Sequence, residues 1–137
     1  MIYIECYADE VLIKSILSNI TRKEYAHSGN KAAVIKQLIK QNDGSGHIGL
    51  VDKDPGSHPP AYYEEFRRES VFNQLEIELM KASNGSRLVV ISPNLEDWVI
   101  SSAHFIHVRL RDYRLPEDSR ELHKKLLSNK KYCIFFC

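Results

Sequence analysis

The chain has little of what marks several common protein classes. Its three cysteines (Cys6, Cys133 and Cys137) are an odd number with no CxxC pair, which argues against a disulfide framework and against a zinc knuckle. No apolar run is long enough to cross a bilayer, and the opening MIYIECYADE lacks the basic flank and cleavage site of a signal peptide. A cytoplasmic location is therefore expected, with no membrane partner. No glycine-rich phosphate loop and no Ser-His-Asp set stands out by spacing. Nor is there charge of one sign: the formal net charge is only +1. That balance hides a gradient. Residues 1–100 carry 11 Lys and Arg against 14 Asp and Glu, and residues 101–137 carry 8 against 4. An acidic region followed by a basic one suits a metal-dependent protein acting on a polyanion, although a basic stretch is also what a solvated helix face looks like.

What is present is an ordinary globular composition, 43% apolar and 27% charged over 137 residues, enough for one domain with a real core. The stretch that organises it is His47 to Gly56, HIGLVDKDPG. Ile48, Leu50 and Val51 read as a strand buried in a sheet, and Pro55-Gly56 stops it. Asp52 and Asp54 then lie at the carboxyl end of that strand, the edge at which open α/β sheets bind ligands. Side by side they repel, and a divalent cation is a simple way to relieve that repulsion.

The flanking elements follow from periodicity. Met1 to Tyr7 predicts a first strand that Glu5 interrupts, a carboxylate costly to bury unless paired or bound to a metal. A helix begins at Asp9, its possible N-cap, with Leu12, Ile13, Ile16, Leu17 and Ile20 on one face. Arg22 to His27 reads as a short strand, Ser28-Gly29-Asn30 as the entry to a second helix, and Asn42-Asp43-Gly44 as its stop. Residues 57–74 lack periodicity and predict a surface excursion with a helical turn or two. Leu75 to Lys81 alternates as a half-exposed strand, Asn84-Gly85 is a turn, and Arg87 to Ser92 is a buried strand. Asn94 and Asp97 form a capping pair for a helix packing through Leu95, Trp98 and Val99. Glu96 and Asp97 add a third acidic group to the same edge, whereas His104 and His107 lie beyond its reach. From Pro116 a last amphipathic helix buries Leu122, Leu126 and Leu127 and turns Lys124 and Lys125 outward. The apolar tail Tyr132 to Cys137 docks on the core, forms a strand or meets a partner.

An acid closing the first strand (ECYADEVLIKSIL), a DxD closing a later one (LVDKDPG) and a downstream acidic turn (SPNLEDW) together resemble the Toprim family, in particular its small stand-alone OLD-like nucleases. The resemblance covers roughly residues 1–105, and it departs from the family where Cys6 replaces the glycine usual after the first Glu. It implies a Toprim-like (Rossmann-like) α/β fold of three layers, with a mainly parallel sheet of about four or five strands flanked by helices. The whole of 1–137 would be one domain, with a core to residue 105 and a basic helical segment from 106. It also implies magnesium- or manganese-dependent cleavage or transfer of phosphodiesters in DNA or RNA. Glu5 would be the catalytic acid/base, and Glu5, Asp9, Asp52, Asp54, Glu96 and Asp97 the metal ligands. Lys124, Lys125, Lys130 and Lys131 are candidates to contact nucleic acid. A separate ATPase could be the partner of such a domain. The alternative is a non-catalytic Toprim-like module that recruits nucleic acid or protein.

Overall fold

The computed structural model describes residues 1–54, 56 and 61–128, of which 61 and 62 by backbone alone. Six strands form one sheet: β1 (Ile2–Ile4), β2 (Tyr25–His27), β3 (Ile48–Asp52), β4 (Phe66–Phe72), β5 (Ile77–Ala82) and β6 (Arg87–Ile91). Their order is β2-β1-β3-β6-β5-β4. The first four in that order are parallel, and β5 and β4 add an antiparallel margin. The sheet is thus larger and more mixed than the parallel sheet of four or five strands that the sequence predicts.

The extra strand is β4, within residues read as a surface excursion. FRRESVF has no alternating apolar pattern, because as an edge strand it buries only Phe66 well and points arginines and Glu69 into solvent. A register shift between Arg68 and Ser70 interrupts its pairing. Leu75 does not join β5 but lies in a short 3₁₀ turn, half exposed. The buried face of β5 is that of Met80 and Ala82, not the Leu75–Ile77–Leu79 face.

Four helices complete the layers: α1 (Tyr7–Ile16), α2 (Lys31–Lys40), α3 (Leu95–Phe105) and α4 (Ser119–Ser128). On one face of the sheet, Ile4, Tyr25, Leu50 and Ile91 pack with Val11 and Leu12 of α1, Val99 of α3, and Leu122 and Leu126 of α4. On the other, Val34, Ile35 and Leu38 of α2 pack on Val51, Met80, Leu88 and Val90. The strand period of two explains the split: adjacent Leu50 and Val51 enter opposite layers, so Asp52 falls on the Leu50 side. Gly49 is where α2 comes closest. A Cβ there would stand 2.6 Å from Leu38 Cδ1 and 2.8 Å from Val34 Cγ1. Among the described residues no helix is long and apolar enough to cross a membrane. The tail Tyr132 to Cys137, and Lys130 and Lys131 before it, lie outside the described residues.

Candidate acidic site

Parallel pairing in register brings the carboxyl ends of β1, β3 and β6 level. Beyond Ile4 the backbone carries on pairing, with Gly29 N–H donating to the Glu5 carbonyl at 3.0 Å. Beyond Asp52, the N–H groups of Lys53 and Asp54 donate to the carbonyls of Ile91 (2.8 Å) and Pro93 (3.0 Å). Asp54 itself takes a left-handed φ of 48°. Glu5 and the DxD pair are therefore neighbours on one rim, although 47 positions separate Glu5 from Asp52. Glu5 Oε1 accepts the Asp52 backbone N–H at 3.1 Å.

Asp9 is not the N-cap of α1; Cys6 occupies that position and Asp9 is three residues on. Its carboxylate reaches back, Oδ2 accepting the N–H groups of Glu5 and Cys6 at 3.0 Å each. The Cys6 N–H is one of the donors that a helix start leaves over, and holding it together with the Glu5 N–H fixes the turn that carries Glu5. Cys6 is not poised for chemistry. Burial, with the Asp9 charge beside it, pushes its thiol up to about 11, so it stays protonated at neutral pH.

Asp52 is the most perturbed group on the rim. Burial is the main cause, and the charges of Asp9, Glu5 and Asp54 add to it, raising its pKa to about 7 against a hydrogen bond from the Leu95 backbone N–H. Its Oδ1 is buried and has no hydrogen-bond partner. Burial likewise raises the proton affinity of Glu5, opposed by the Asp52 N–H and by the charge of Lys31. Asp9 is raised by burial too, with the charge of Glu96 among the contributing causes. These mutual effects describe one negative rim built from Glu5, Asp9, Asp52 and Asp54, with Glu96 alongside.

Glu96, at the start of α3, is buried and held by His123 of α4, whose Nδ1 lies 2.5 Å from Oε1. Asp97 completes the α3 cap: its N–H donates to Asn94 Oδ1 at 2.9 Å, and its Oδ2 accepts from Asn94 Nδ2 at 2.8 Å. His104 lies at the far end of α3 from these acids, and His107 follows that helix. Lys124 is exposed and 3.3 Å from Glu121, while Lys125 is half-buried rather than fully turned outward.

The sequence reading missed Lys31 altogether. It opens α2 just after the Asn30 cap, and only 14% of its side chain is exposed. Nζ donates to the Lys53 carbonyl at 2.9 Å and stands 3.6 Å from Asp54 Oδ2. The Ser28-Gly29-Asn30 helix entry was the only available signal, and it does not say which side chain follows it onto the rim. His123 and Glu10 were also missed. Glu10 holds Lys14 at 2.6 Å, the Tyr25 hydroxyl at 2.8 Å and His27 at 2.5 Å, and this pins α1 to β2.

Chemically the rim offers hard carboxylate oxygens, the donor type that suits magnesium, manganese or calcium and not zinc. Among the described residues, no three or more His, Cys, Asp or Glu side chains are arranged to close on one ion. The unpartnered Asp52 oxygen and the repulsion around it nonetheless match what a cation would relieve. In comparisons with known proteins, no family model, no curated protein and no solved structure matches the chain.

Proposed function

We propose that this is a metal-dependent phosphodiesterase of Toprim type, cleaving or transferring phosphodiesters of DNA or RNA with magnesium or manganese at the rim. The observation that carries this reading is Asp52: a half-buried carboxylate with one buried oxygen unpartnered and three other acids acting on it. A buried acid oxygen left without a partner is costly. Asp52, Asp54 and Glu5 would hold the ion, whose chemistry is to polarise the phosphoryl group and neutralise developing charge. Glu5, oriented by the Asp52 N–H and with its proton affinity raised, accepts the proton of the attacking water. Asp9 is a positioning residue, holding the Glu5 and Cys6 amides. Lys31 and the N-terminal end of α3 supply positive potential for the phosphate.

The test is incubation of the full chain with single- and double-stranded DNA and RNA plus magnesium or manganese, beside Glu5→Gln and Asp52→Asn. Cleavage that stops with EDTA and falls at least about 100-fold in each variant is expected, the scale of losing a proton-transfer group. Cleavage equal in wild type and both variants would remove these residues from the reaction.

A second reading is favoured by a different observation: Glu5 and Asp9 already accept backbone N–H groups, and Glu96 already holds His123. On that reading the acids brace a non-catalytic module that recruits nucleic acid or protein. It predicts binding that survives both EDTA and Asp52→Asn.

A further inference from the structure

Ile16 and Ile106 are 64% and 63% exposed, and Phe105 beside Ile106 is 65% exposed. The two isoleucines line the same groove. It has a volume of about 320 Å³ and is walled by Leu12 and Ile16 of α1, Val99 and Ile106 at α3, and Leu110 and Leu115. Ile16 ends α1 and Ile106 follows the last residue of α3, so the groove lies toward the end of the fold away from the acidic rim, where both helices begin. Single exposed hydrophobics need no explanation, but a connected apolar surface with a concave centre marks a contact site. The lining comes from two helices and the segment 108–115, with no strand residue among them. Such a seat suits a helix that lays down anchors at i, i+3, i+4 and i+7, not an added strand.

The margin of the groove carries charge mostly of one sign. Residues 104–114, HFIHVRLRDYR, hold three arginines and two histidines against one acid, Asp112, which Arg109 already engages at 3.1 Å. Arg111 and Arg114 are exposed and adjoin the lining residues Leu110, Tyr113 and Leu115. A second copy of the chain seated here about a twofold axis would set this basic margin against another like it, and like charges facing each other disfavour association. We propose that the groove between α1 and α3 docks a partner protein through an amphipathic helix, whose apolar face fills the groove and whose flanks carry Asp and Glu. The proposal is independent of the metal-dependent reading and stands or falls without it.

Trp98 lines the groove and is the only tryptophan of the chain, so its emission reports whether the groove is filled. The probe is a peptide of about sixteen residues, long enough to hold a helix, with Leu at i, i+3, i+4 and i+7 and Glu elsewhere. A control peptide carries Lys in place of Glu. Titrated into the full-length protein, the acidic peptide is expected to shift Trp98 emission and saturate at one peptide per chain. The basic peptide should bind at least tenfold more weakly. Ile106→Ser changes an exposed side chain and should leave the fold intact. That variant, and the double variant Arg111→Glu with Arg114→Glu, should each lose at least tenfold in affinity for the acidic peptide, and added salt should weaken the wild type as well. Equal affinity for both peptides, or unchanged affinity in either variant, would overturn the proposal. So would a free chain that sediments as a dimer and turns monomeric with Ile106→Ser, since a second copy would then fill the groove. Phosphatidylglycerol vesicles that shift Trp98 where the acidic peptide does not would give the surface to a membrane instead. No shift with the acidic peptide, whether the groove stays empty or another part of the chain fills it, would overturn the proposal too.

Discussion

A carboxylate surrounded by other carboxylates keeps its proton, and Asp52 shows how far that goes at the scale of one residue. In the unfolded chain it titrates near 3.9; in the fold its pKa is about 7, raised first by burial and then by Asp9, Glu5 and Asp54. Below about pH 4 both states hold the proton, and Asp52 costs the fold nothing. Between about 4 and 7 the unfolded chain releases it first, so folded stability declines through that window and levels off above it. Three pH units at roughly 1.4 kcal/mol each cap the effect near 4 kcal/mol, and partial solvent access lowers it. Asp52→Asn imitates the protonated acid. It should change stability little at pH 4 and raise it by about 1–3 kcal/mol at pH 8 without metal, read from urea unfolding at the two pH values. An equal shift at both would mean that Asp52 is not strained by charge. The acids themselves were legible from sequence, because strand ends and the DxD spacing place them. Their partners were not. Lys31 meets the Lys53 carbonyl across 22 positions, His27 meets Glu10 across 17, and His123 meets Glu96 across 27. No local pattern encodes such pairings.

Periodicity located the elements better than it located their buried faces. Helix α1 stops at Ile16, leaving Ile16 and Leu17 of the expected apolar face exposed, and the alternating Leu75–Ile77–Leu79 face is not the buried face of β5. Strand β3 with its apolar run, α2 with Val34, Ile35 and Leu38 on one face, and the Asn94 cap of α3 all match the expectation. Strand β4 escaped because its pattern is set by its place at the sheet margin, which the chain reveals only once folded. Gly49 makes the complementary case, in which a residue matters for what it leaves out. It sits in the middle of β3, where a side chain would normally favour the strand. Yet Leu38 and Val34 of α2, both fully buried, and Leu88 of β6 fill the space a Cβ would need. Gly49→Ala should therefore destabilise despite alanine's smaller backbone entropy cost. Val34 is stiff about χ1 and Leu38 has no solvent to swing into, so α2 must move outward. We expect a loss of about 1–3 kcal/mol, the usual range for overpacking, measured as a lower urea midpoint at unchanged slope. A neutral or stabilising result would show that α2 is not held tightly to β3.

At the scale of the whole molecule, the division of the chain at residue 105 into a core and a basic helical segment describes its charge better than its packing. Helix α4 carries Lys124 and Lys125, but its other face sends Leu122 and Leu126 into the same layer as Ile4, Leu50 and Val99. Leu122 is fully buried and Leu126 only 2% exposed. Its His123 also ties it to Glu96 beside the acidic rim. The helix is thus a structural part of the layer covering α1 and α3, and the basic residues occupy the side left over. Two consequences separate these roles. Leu122→Ala in the full chain should cost about 2–5 kcal/mol, the range for emptying a well-packed leucine site, and ending the chain after Glu117 should abolish cooperative unfolding. Lys124→Ala should stay within about 0.5 kcal/mol, since its contact with Glu121 is at the surface and i,i+3 pairs of this kind contribute little. If the truncated chain melted cooperatively within a few degrees of the wild type, α4 would be an appendage after all. The acidic rim would then owe nothing to the helix that holds Glu96.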